Sequence, residues 1–289
     1  MRSYFVMNGE LVPHEQGRLS VLDRGGSYGD GLFETLRVEE GVPLFVDDHF
    51  ARLEEGANVL RFSKVPSRSE LMKGMKRIIQ ANQVNQGYLR LTLTRGQGGF
   101  GQLLSHLSKP TWWVMAQEHV LDQKRYREGI SATFVSIQKN PRSPLSGVKS
   151  LNYLESILAR EEALEKGREE GLMLTTEGKL CEGASANLFL VRGERLITPS
   201  LNQGPLPGTV RKWVLRQAQE LGMVVEEREV EPEECYQVDE SFFTNSTWGP
   251  FPCVRIGEHT FADGQPGIVT RRMMDAWIKA VKQEVRSNF

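Results

Sequence analysis

The sequence predicts a mixed α+β chain of two domains, and three observations support that prediction. Short apolar runs that alternate with period two indicate strands, and apolar residues recurring every three or four positions indicate amphipathic helices. Both patterns occur on each side of a polar, charged stretch at residues 119–128. A length of 289 residues suits two domains of roughly 100–200 residues each. We therefore expect a small α/β domain over 1–118, a linker over 119–128 and a larger domain over 129–289.

The first domain is expected to begin and end with strands that enclose helices. Tyr4–Met7 and Leu32–Val38 are β-like runs next to turn signals. Two helices are then indicated by apolar residues at helical spacing, namely Phe50, Leu53, Ala57, Leu60, Leu71, Met75, Ile78 and Ile79. Tyr88–Thr94 alternates with period two, and Thr111–Ala116 is a further apolar run. Strands therefore return before the linker.

The second domain is again predicted to be mixed. Ile130–Ile137 is rich in residues that favour strands. Apolar spacing predicts a helix over 151–166, with Ser150 as its N-cap. Residues 171–191 suggest a hairpin followed by another strand. Two further helices are expected at residues 209–221 and 268–285.

Composition excludes several classes of protein. The chain has 36 Lys+Arg against 37 Asp+Glu and a net charge of −1, without the basic excess of a nucleic-acid or membrane-surface binder. Three scattered cysteines make no disulfide framework, and five histidines show no metal-ligand spacing. We find no signal peptide and no apolar stretch of about 18 residues. The expectation is a cytoplasmic protein without nucleic-acid, membrane or metal partners.

Lys149 is the lysine most suited to chemistry. It follows a loop containing proline and glycine and directly precedes Ser150, so we expect it at the N-terminus of the 151–166 helix. The positive end of a helix dipole disfavours the ammonium form of a lysine. A neutral amine is the nucleophile that a Schiff base requires.

Three other features complement an amine nucleophile. Gly208 opens the 209–221 helix, where backbone N–H groups can approach an anion closely. If this anion is a phosphate, the guanidinium of Arg52 offers it two parallel hydrogen bonds. Glu182 lies among small residues, where a carboxylate can keep a pyridinium nitrogen protonated. Lysine, phosphate site and carboxylate are the three groups that pyridoxal phosphate needs.

Six segments, in order along the chain, resemble one known family. The class IV (fold type IV) pyridoxal-phosphate enzymes include branched-chain aminotransferases, D-amino-acid aminotransferases and aminodeoxychorismate lyases. The matching segments are Asp23–Arg37, His49–Leu53, Lys149–Leu154, Glu182–Phe189, Pro207–Arg211 and Phe243–Thr247. The resemblance implies a two-domain subunit with the cofactor between the domains, a β-barrel-like core in the larger domain, and a homodimer.

The resemblance also implies a role for each matching residue. Lys149 would form the internal aldimine with pyridoxal 5'-phosphate and then act as the proton shuttle. Glu182 would pair with the pyridine nitrogen, and Tyr153 would hydrogen-bond the phenolic oxygen. The phosphate would be held by Arg52, Ser246 and the backbone of Thr209 and Val210. Position 210 departs from the family pattern, because many members carry threonine there.

The residues expected in the substrate pocket do not decide between the substrates of the family. By resemblance its lining comprises Tyr28, Phe33, Arg37, Tyr88, Arg90 and Thr247, with Arg90 as the carboxylate partner. Phe33 and Tyr28 suit a branched-chain substrate, whereas Thr35 stands where branched-chain enzymes usually carry glycine. Phe100 and Gln102 occupy positions where D-amino-acid enzymes place an Arg–His pair, and Phe100 also replaces an arginine expected in the lyases.

The leading hypothesis is a transaminase acting on an amino acid, either branched-chain-like L- or D-, and a 2-oxo acid such as 2-oxoglutarate or pyruvate. The first alternative is aminodeoxychorismate lyase, which releases pyruvate and 4-aminobenzoate. The second alternative is a non-catalytic binding protein on the same fold. The sequence leaves the handedness of the amino donor open.

Overall fold

The chain divides into two compact units in the computed structural model, which describes residues 3–98, 104 and 109–287. Unit 1 comprises Met1–Val120, Val148–Asn152 and Val281–Phe289. Unit 2 comprises Leu121–Gly147 and Tyr153–Ala280. Unit 1 therefore includes a short segment from the middle of the chain and one from its end, whereas the sequence pattern suggested two contiguous domains.

Unit 1 is built on a six-stranded antiparallel sheet in the order β2-β1-β6-β5-β3-β4. Its strands are β1 (Tyr4–Met7), β2 (Glu10–Pro13), β3 (Gly31–Glu39), β4 (Val42–Pro43), β5 (Gly87–Thr94) and β6 (Thr111–Glu118). Its helices are α1 (Arg24–Tyr28), α2 (Val46–Val59) and α3 (Arg68–Asn82). A 3-10 turn at His14–Gln16 follows β2.

The core of unit 1 lies between the sheet and helices α2 and α3. Phe50 and Leu53 of α2 and Met75 of α3 are buried with apolar side chains of β3 and β5. Helix α3 begins with a capping box, in which Ser67 and Glu70 each accept from the other's backbone N–H. Both predicted helices are confirmed, because their apolar spacing matches the side that is buried.

Unit 2 is built on a nine-stranded mixed sheet in the order β12-β11-β10-β13-β14-β7-β8-β9, with β15 paired to β14. Its strands are β7 (Ile130–Lys139), β8 (Glu170–Thr175), β9 (Leu180–Gly183), β10 (Asn187–Arg192), β11 (Arg195–Pro199), β12 (Val224–Arg228), β13 (Glu240–Asn245), β14 (Gly249–Ile256) and β15 (His259–Thr260). Its helices are α4 (Gln123–Glu128), α5 (Leu154–Glu165), α6 (Thr209–Glu220) and α7 (Ile268–Ser287), the last counted with unit 1 from Val281 onward. Short 3-10 turns lie at Leu201–Gln203, Pro232–Tyr236 and Ala262–Gly264.

The sheet of unit 2 curls into a half-barrel. Its interior is apolar, with Phe243, Leu188 and Leu172 completely buried. The hairpin predicted within 171–191 is present as β8 and β9, followed by β10. The predicted α+β class and barrel-like core are confirmed. No helix within 3–98 or 109–287 is long and apolar enough to cross a membrane.

The helix predicted over residues 151–166 is wrong at its start. It begins at Leu154, and neither Ser150 nor any other side chain caps it. The residues before it run alongside β3 instead. Ser150 forms an antiparallel β-bridge with Leu32, and Leu151 N donates to Gly31 O at 2.9 Å. The backbone hydrogen bonds of this segment are thus satisfied by a strand rather than by a helical turn.

The predicted linker at 119–128 is more structured than a flexible connector. Gln123–Glu128 forms α4, and the Asp122 side chain accepts from Lys124 N at 2.9 Å as its cap. The polar composition of this stretch therefore belongs to a short exposed helix.

Candidate active site

Lys149 lies on the segment that pairs with β3. Its carbonyl oxygen accepts from Phe33 N at 3.0 Å, and its side chain is half-buried. The predicted position at a helix N-terminus is wrong, since α5 begins five residues later. The helix-dipole argument for a neutral Lys149 amine therefore does not apply.

The aromatic ring of Phe33 contacts two cationic side chains. Lys149 Nζ lies 4.3 Å from the ring centroid, and Arg90 Cζ lies 3.9 Å from it. Arg90 is on β5, opposite Thr35 of β3, so the sheet register fixes its side chain beside Phe33. The structure thus brings together three predicted residues: an amine, a guanidinium and an apolar surface.

Arg52 lies in a buried ion cluster behind this group. Its Nε and Nη2 donate to the two carboxylate oxygens of Glu34 at 2.8 and 2.6 Å. His49 Nδ1 lies 2.6 Å from Glu34 Oε2, and all three side chains are at most 7% exposed. Spacing of three residues places His49 and Arg52 on one side of α2, facing β3. The cluster therefore fixes the Arg52 guanidinium in a bidentate geometry.

The charges of this cluster follow from burial and pairing. Burial alone would raise the pKa of Glu34, but the charge and hydrogen bonds of Arg52, helped by His49, lower that pKa to about 2. Burial lowers the pKa of His49, and the positive charges of Arg52 and Lys149 add to this, while Glu34 opposes it. Glu34 is thus anionic at neutral pH, and His49 is sensitive to the charge of Lys149.

The remaining predicted pocket residues of unit 1 have defined partners. Arg37 Nη2 donates to Glu39 at 2.5 Å, and Tyr88 Oη donates to Gln117 Oε1 at 3.2 Å. The Arg24 guanidinium carbon lies 4.8 Å from the ring centroid of the exposed Tyr28. Phe100 and Gln102 fall outside the described residues.

Glu182 is buried on β9 in unit 2. Its Oε2 accepts from Leu206 N at 3.0 Å and from Asn187 Nδ2 at 3.4 Å. Asn187 Nδ2 also donates to Leu206 O at 2.8 Å. The carboxylate therefore points toward the segment that leads into α6.

The N-terminus of α6 has the features of an anion site. Its N-cap is Gly208, in extended conformation, and no side chain caps the first turn. The hydroxyl oxygens of Thr209 and Ser246 lie 3.4 Å apart at this end. Val210 is buried and offers only its backbone N–H. N–H groups at a helix N-terminus, with two nearby hydroxyls, suit a phosphate.

Two other predicted residues of unit 2 border these groups. Tyr153 Oη donates to Ala184 O at 3.4 Å, in the turn that follows Glu182. The turn containing Thr247 is held by Asn245, whose Oδ1 accepts from Thr247 N at 3.1 Å and Trp248 N at 2.9 Å.

Sequence reasoning missed four buried polar residues. Glu34 and His49 lie inside the segments Asp23–Arg37 and His49–Leu53. The available signal for Glu34 was an acidic residue in an otherwise apolar strand. Asn187 likewise lies inside the segment Glu182–Phe189. Glu170, whose pKa burial raises, accepts from Ser185 Oγ at 2.6 Å, and no pattern in the sequence marked it. Across the described residues, no group of acidic, histidine or cysteine side chains is arranged to hold a metal ion.

The chain resembles known proteins over nearly its full length. A protein of Methanocaldococcus jannaschii, provisionally named a branched-chain-amino-acid aminotransferase, is 32% identical over 270 residues, which is 93% of each chain. The aminodeoxychorismate lyase of Bacillus subtilis is 28% identical over 281 residues, covering 96% of this chain and 95% of that protein. The solved branched-chain amino acid aminotransferase of Escherichia coli superposes with a TM-score of 0.91 at 28% identity, covering 96% of this chain and 94% of that one.

A family model supports the same assignment. The model described as Amino-transferase class IV matches residues 31–256, which include Phe33, Arg52, Lys149, Glu182 and Ser246. Members of this family are enzymes that depend on pyridoxal phosphate, and another similar branched-chain aminotransferase was solved with pyridoxamine 5'-phosphate. The chain belongs to the class IV aminotransferases.

Proposed function

We propose that this chain is a pyridoxal-phosphate transaminase that moves an amino group between an amino acid and a 2-oxo acid. The donor is a branched-chain-like L-amino acid or a D-amino acid, and the acceptor is a 2-oxo acid such as 2-oxoglutarate or pyruvate. The observation that carries the proposal is the placement of Lys149 and Arg90 against the ring of Phe33. A lysine that moves protons and a guanidinium that binds a carboxylate are the two groups that transamination needs from the protein.

The residues present fit the cofactor. The uncapped α6 N-terminus with Thr209 and Ser246 suits a phosphate, and the buried carboxyl group of Glu182, an acceptor, suits a protonated ring nitrogen. In our assignment Lys149 carries the cofactor, Tyr153 binds its phenolic oxygen, and Arg52 with the backbone of Val210 completes the phosphate site. Pyridoxal 5'-phosphate, when bound, supplies a ring that withdraws electrons from the substrate Cα.

Each residue then has one task in the reaction. Arg90 binds a carboxylate of the substrate. Phe33 covers the apolar part of the substrate and excludes water from it. The Lys149 amine takes the proton from the substrate Cα as a general base and returns it as a general acid two bonds away, beyond the amino nitrogen. Glu182 would accept a hydrogen bond from the ring nitrogen of the cofactor, which favours the protonated form of that nitrogen.

A half-reaction with single amino acids tests this function. The holoenzyme is mixed with L-leucine, L-glutamate, D-alanine or D-glutamate, and absorbance is followed as bound cofactor changes from its pyridoxal to its pyridoxamine form. Conversion with at least one donor, reversed by a 2-oxo acid, is expected. Comparing the enantiomers decides the handedness. Absence of conversion with every donor would contradict a transaminase.

Aminodeoxychorismate lyase is the second candidate, and the 28% identity to the Bacillus subtilis lyase over 96% of this chain favours it. Its signature is release of pyruvate from aminodeoxychorismate without net conversion of the cofactor. We measure pyruvate with a coupled dehydrogenase. Pyruvate release, combined with a failed half-reaction, would replace the transaminase by the lyase.

We further propose that the chain acts as a homodimer. Helix α5 buries Ser156, Ala159 and Ala163 but leaves a set of apolar side chains exposed, namely Leu154, Ile157, Leu158 and Leu164. Exposed apolar residues grouped on one helix favour association with a second copy. Light scattering after gel filtration should give twice the chain mass of 32.7 kDa, and a monomer at micromolar concentration would contradict the proposal.

A further inference from the structure

Asn187 begins β10 with its side chain buried, at 5% exposure. Its carboxamide contacts both the Glu182 carboxylate and the backbone of Leu206. We propose that Asn187 is a positioning residue, which holds Glu182 and the segment 206–210 in a fixed geometry for the ring nitrogen and the phosphate of pyridoxal phosphate. This inference rests on the function proposed above.

The first step concerns the Glu182 carboxylate. Its Oε2 receives N–H groups from Leu206 at 3.0 Å and from Asn187 at 3.4 Å. N–H donors stabilise the ionised form of a carboxyl group more than its protonated form. The Asn187 amide thus favours the anionic carboxylate that a pyridinium partner requires.

The second step concerns the segment before α6. Leu206 O accepts from Asn187 Nδ2 and from Gly208 N, both at 2.8 Å. A methyl group added to Gly208 would lie 2.1 Å from Asn187 Oδ1, which leaves no room for a side chain at this position. Asn187 therefore fixes the backbone immediately ahead of the N–H groups of α6 that we assign to the phosphate.

The third step concerns β13. Asn187 pairs with Thr244 across β10 and β13, two residues before Ser246. The Ser246 hydroxyl lies 3.4 Å from that of Thr209, at the start of α6. The side chain of Asn187 thus contacts the Glu182 carboxylate and the segment before α6, and its backbone pairs with the strand that leads to Ser246.

The test compares Asn187→Asp with Thr198→Val. The aspartate keeps the size of the side chain but replaces the donor with an acceptor, which places two carboxylates side by side. Thr198 lies in the same sheet, and its Oγ1 donates to Leu188 O at 2.7 Å, so Thr198→Val also loses one buried hydrogen bond. Each apoprotein is titrated with pyridoxal phosphate and with pyridoxal, which lacks the phosphate.

Asn187→Asp is expected to weaken pyridoxal phosphate binding about 10–100-fold, by analogy with the loss of a supporting hydrogen bond behind a metal ligand. Pyridoxal binding should weaken less, because only the ring end remains to be positioned. The pH at which the bound cofactor changes absorbance should also shift, a readout that a merely structural residue would not move. Thr198→Val should bind both compounds like the wild type.

The outcomes separate the inference from the proposed function. If Asn187→Asp binds both compounds with the affinity of Thr198→Val, the positioning role is wrong. If the wild type itself binds no pyridoxal phosphate, the proposed function is wrong instead. Should Asn187→Asp not fold, Asn187→Ser takes its place, with the same expected loss and the same contradicting result.

Discussion

At the scale of single residues, Lys149 combines a half-buried amine with an aromatic neighbour and a nearby guanidinium. Arg90 lies beside the same Phe33 ring. Lys149 and Arg52 both lie close enough to His49 for their positive charges to lower its pKa. The surroundings of the Lys149 amine are therefore an aromatic ring and nearby charged side chains rather than a helix N-terminus.

Replacing Lys149 with alanine should abolish transamination while the protein stays folded. Activity should fall at least about 10³-fold, since both attachment and proton transfer are lost. The absorbance band of attached cofactor should disappear, and circular dichroism should be unchanged. Lys166→Ala is the control, because Lys166 is an exposed lysine paired with Glu162. A persistent band in Lys149→Ala would show that another lysine is used.

Glu34→Gln should destabilise the protein strongly. The glutamine has the same size but leaves the Arg52 guanidinium buried without its counter-charge, and breaking a buried pair costs about 3–5 kcal/mol. Urea unfolding at pH 7 measures the loss. The matched control is Glu54→Gln, whose partner Arg68 is exposed, and this change should leave the unfolding midpoint nearly unchanged. Equal midpoints for both variants would contradict the assigned role of the cluster.

At the scale of elements, the cluster joins α2 to β3 and makes this contact sensitive to acid. The folded pKa of Glu34 is about 2 against an unfolded value of 4.5, so its stabilisation is complete above pH 4.5 and is lost as the pH falls toward 2. The folded pKa of His49 is below its ordinary 6.5, so the unfolded chain takes up a proton first as the pH falls. Both effects weaken the fold in acid.

The free energy of unfolding should therefore decrease as the pH falls from about 6.5, and more steeply below about 4.5. Urea titrations at intervals between pH 7.5 and 3.5 measure the curve. His49→Asn removes the imidazole and should flatten the part of the curve between pH 6.5 and 5. The same slope in His49→Asn and wild type over that interval would mean that other groups cause it.

Local pattern predicted most elements, and it failed where a contact between distant segments decided the structure. Phe50 and Leu53, like Met75, repeat at helical spacing, so α2 and α3 could be recognised from neighbours alone. Leu151 also fits the apolar spacing of the helix that follows, but β3 offers residues 149–151 backbone partners that lie more than 100 residues earlier. For the same reason the sequence suggested Arg52 and Glu182 as functional, but not the partners Glu34 and Asn187 that orient them.

At the scale of the whole molecule, the predicted cofactor residues are divided between the two units. Arg52 and Lys149 belong to unit 1, whereas Tyr153, Glu182 and Ser246 belong to unit 2. Each unit has its own buried core. A ligand that binds only the folded state adds to the stability of the residues that hold it.

Pyridoxal phosphate should therefore raise the midpoint of the thermal unfolding of the apoprotein. At 100 times its dissociation constant a ligand adds about 2.7 kcal/mol, which corresponds to roughly 5 °C for a chain of this size. Differential scanning calorimetry measures the shift. An unchanged midpoint at saturating pyridoxal phosphate would contradict binding of the cofactor by the folded chain.

Pyridoxine 5'-phosphate separates the contribution of Lys149 from that of the other contacts. It has the ring nitrogen and the phosphate but no aldehyde, so Glu182 and the α6 N-terminus can bind it while Lys149 cannot attach to it. We expect it to stabilise the wild type and Lys149→Ala equally, and pyridoxal phosphate to stabilise the wild type more than the variant. Equal shifts with pyridoxal phosphate would contradict Lys149 as the residue that carries the cofactor.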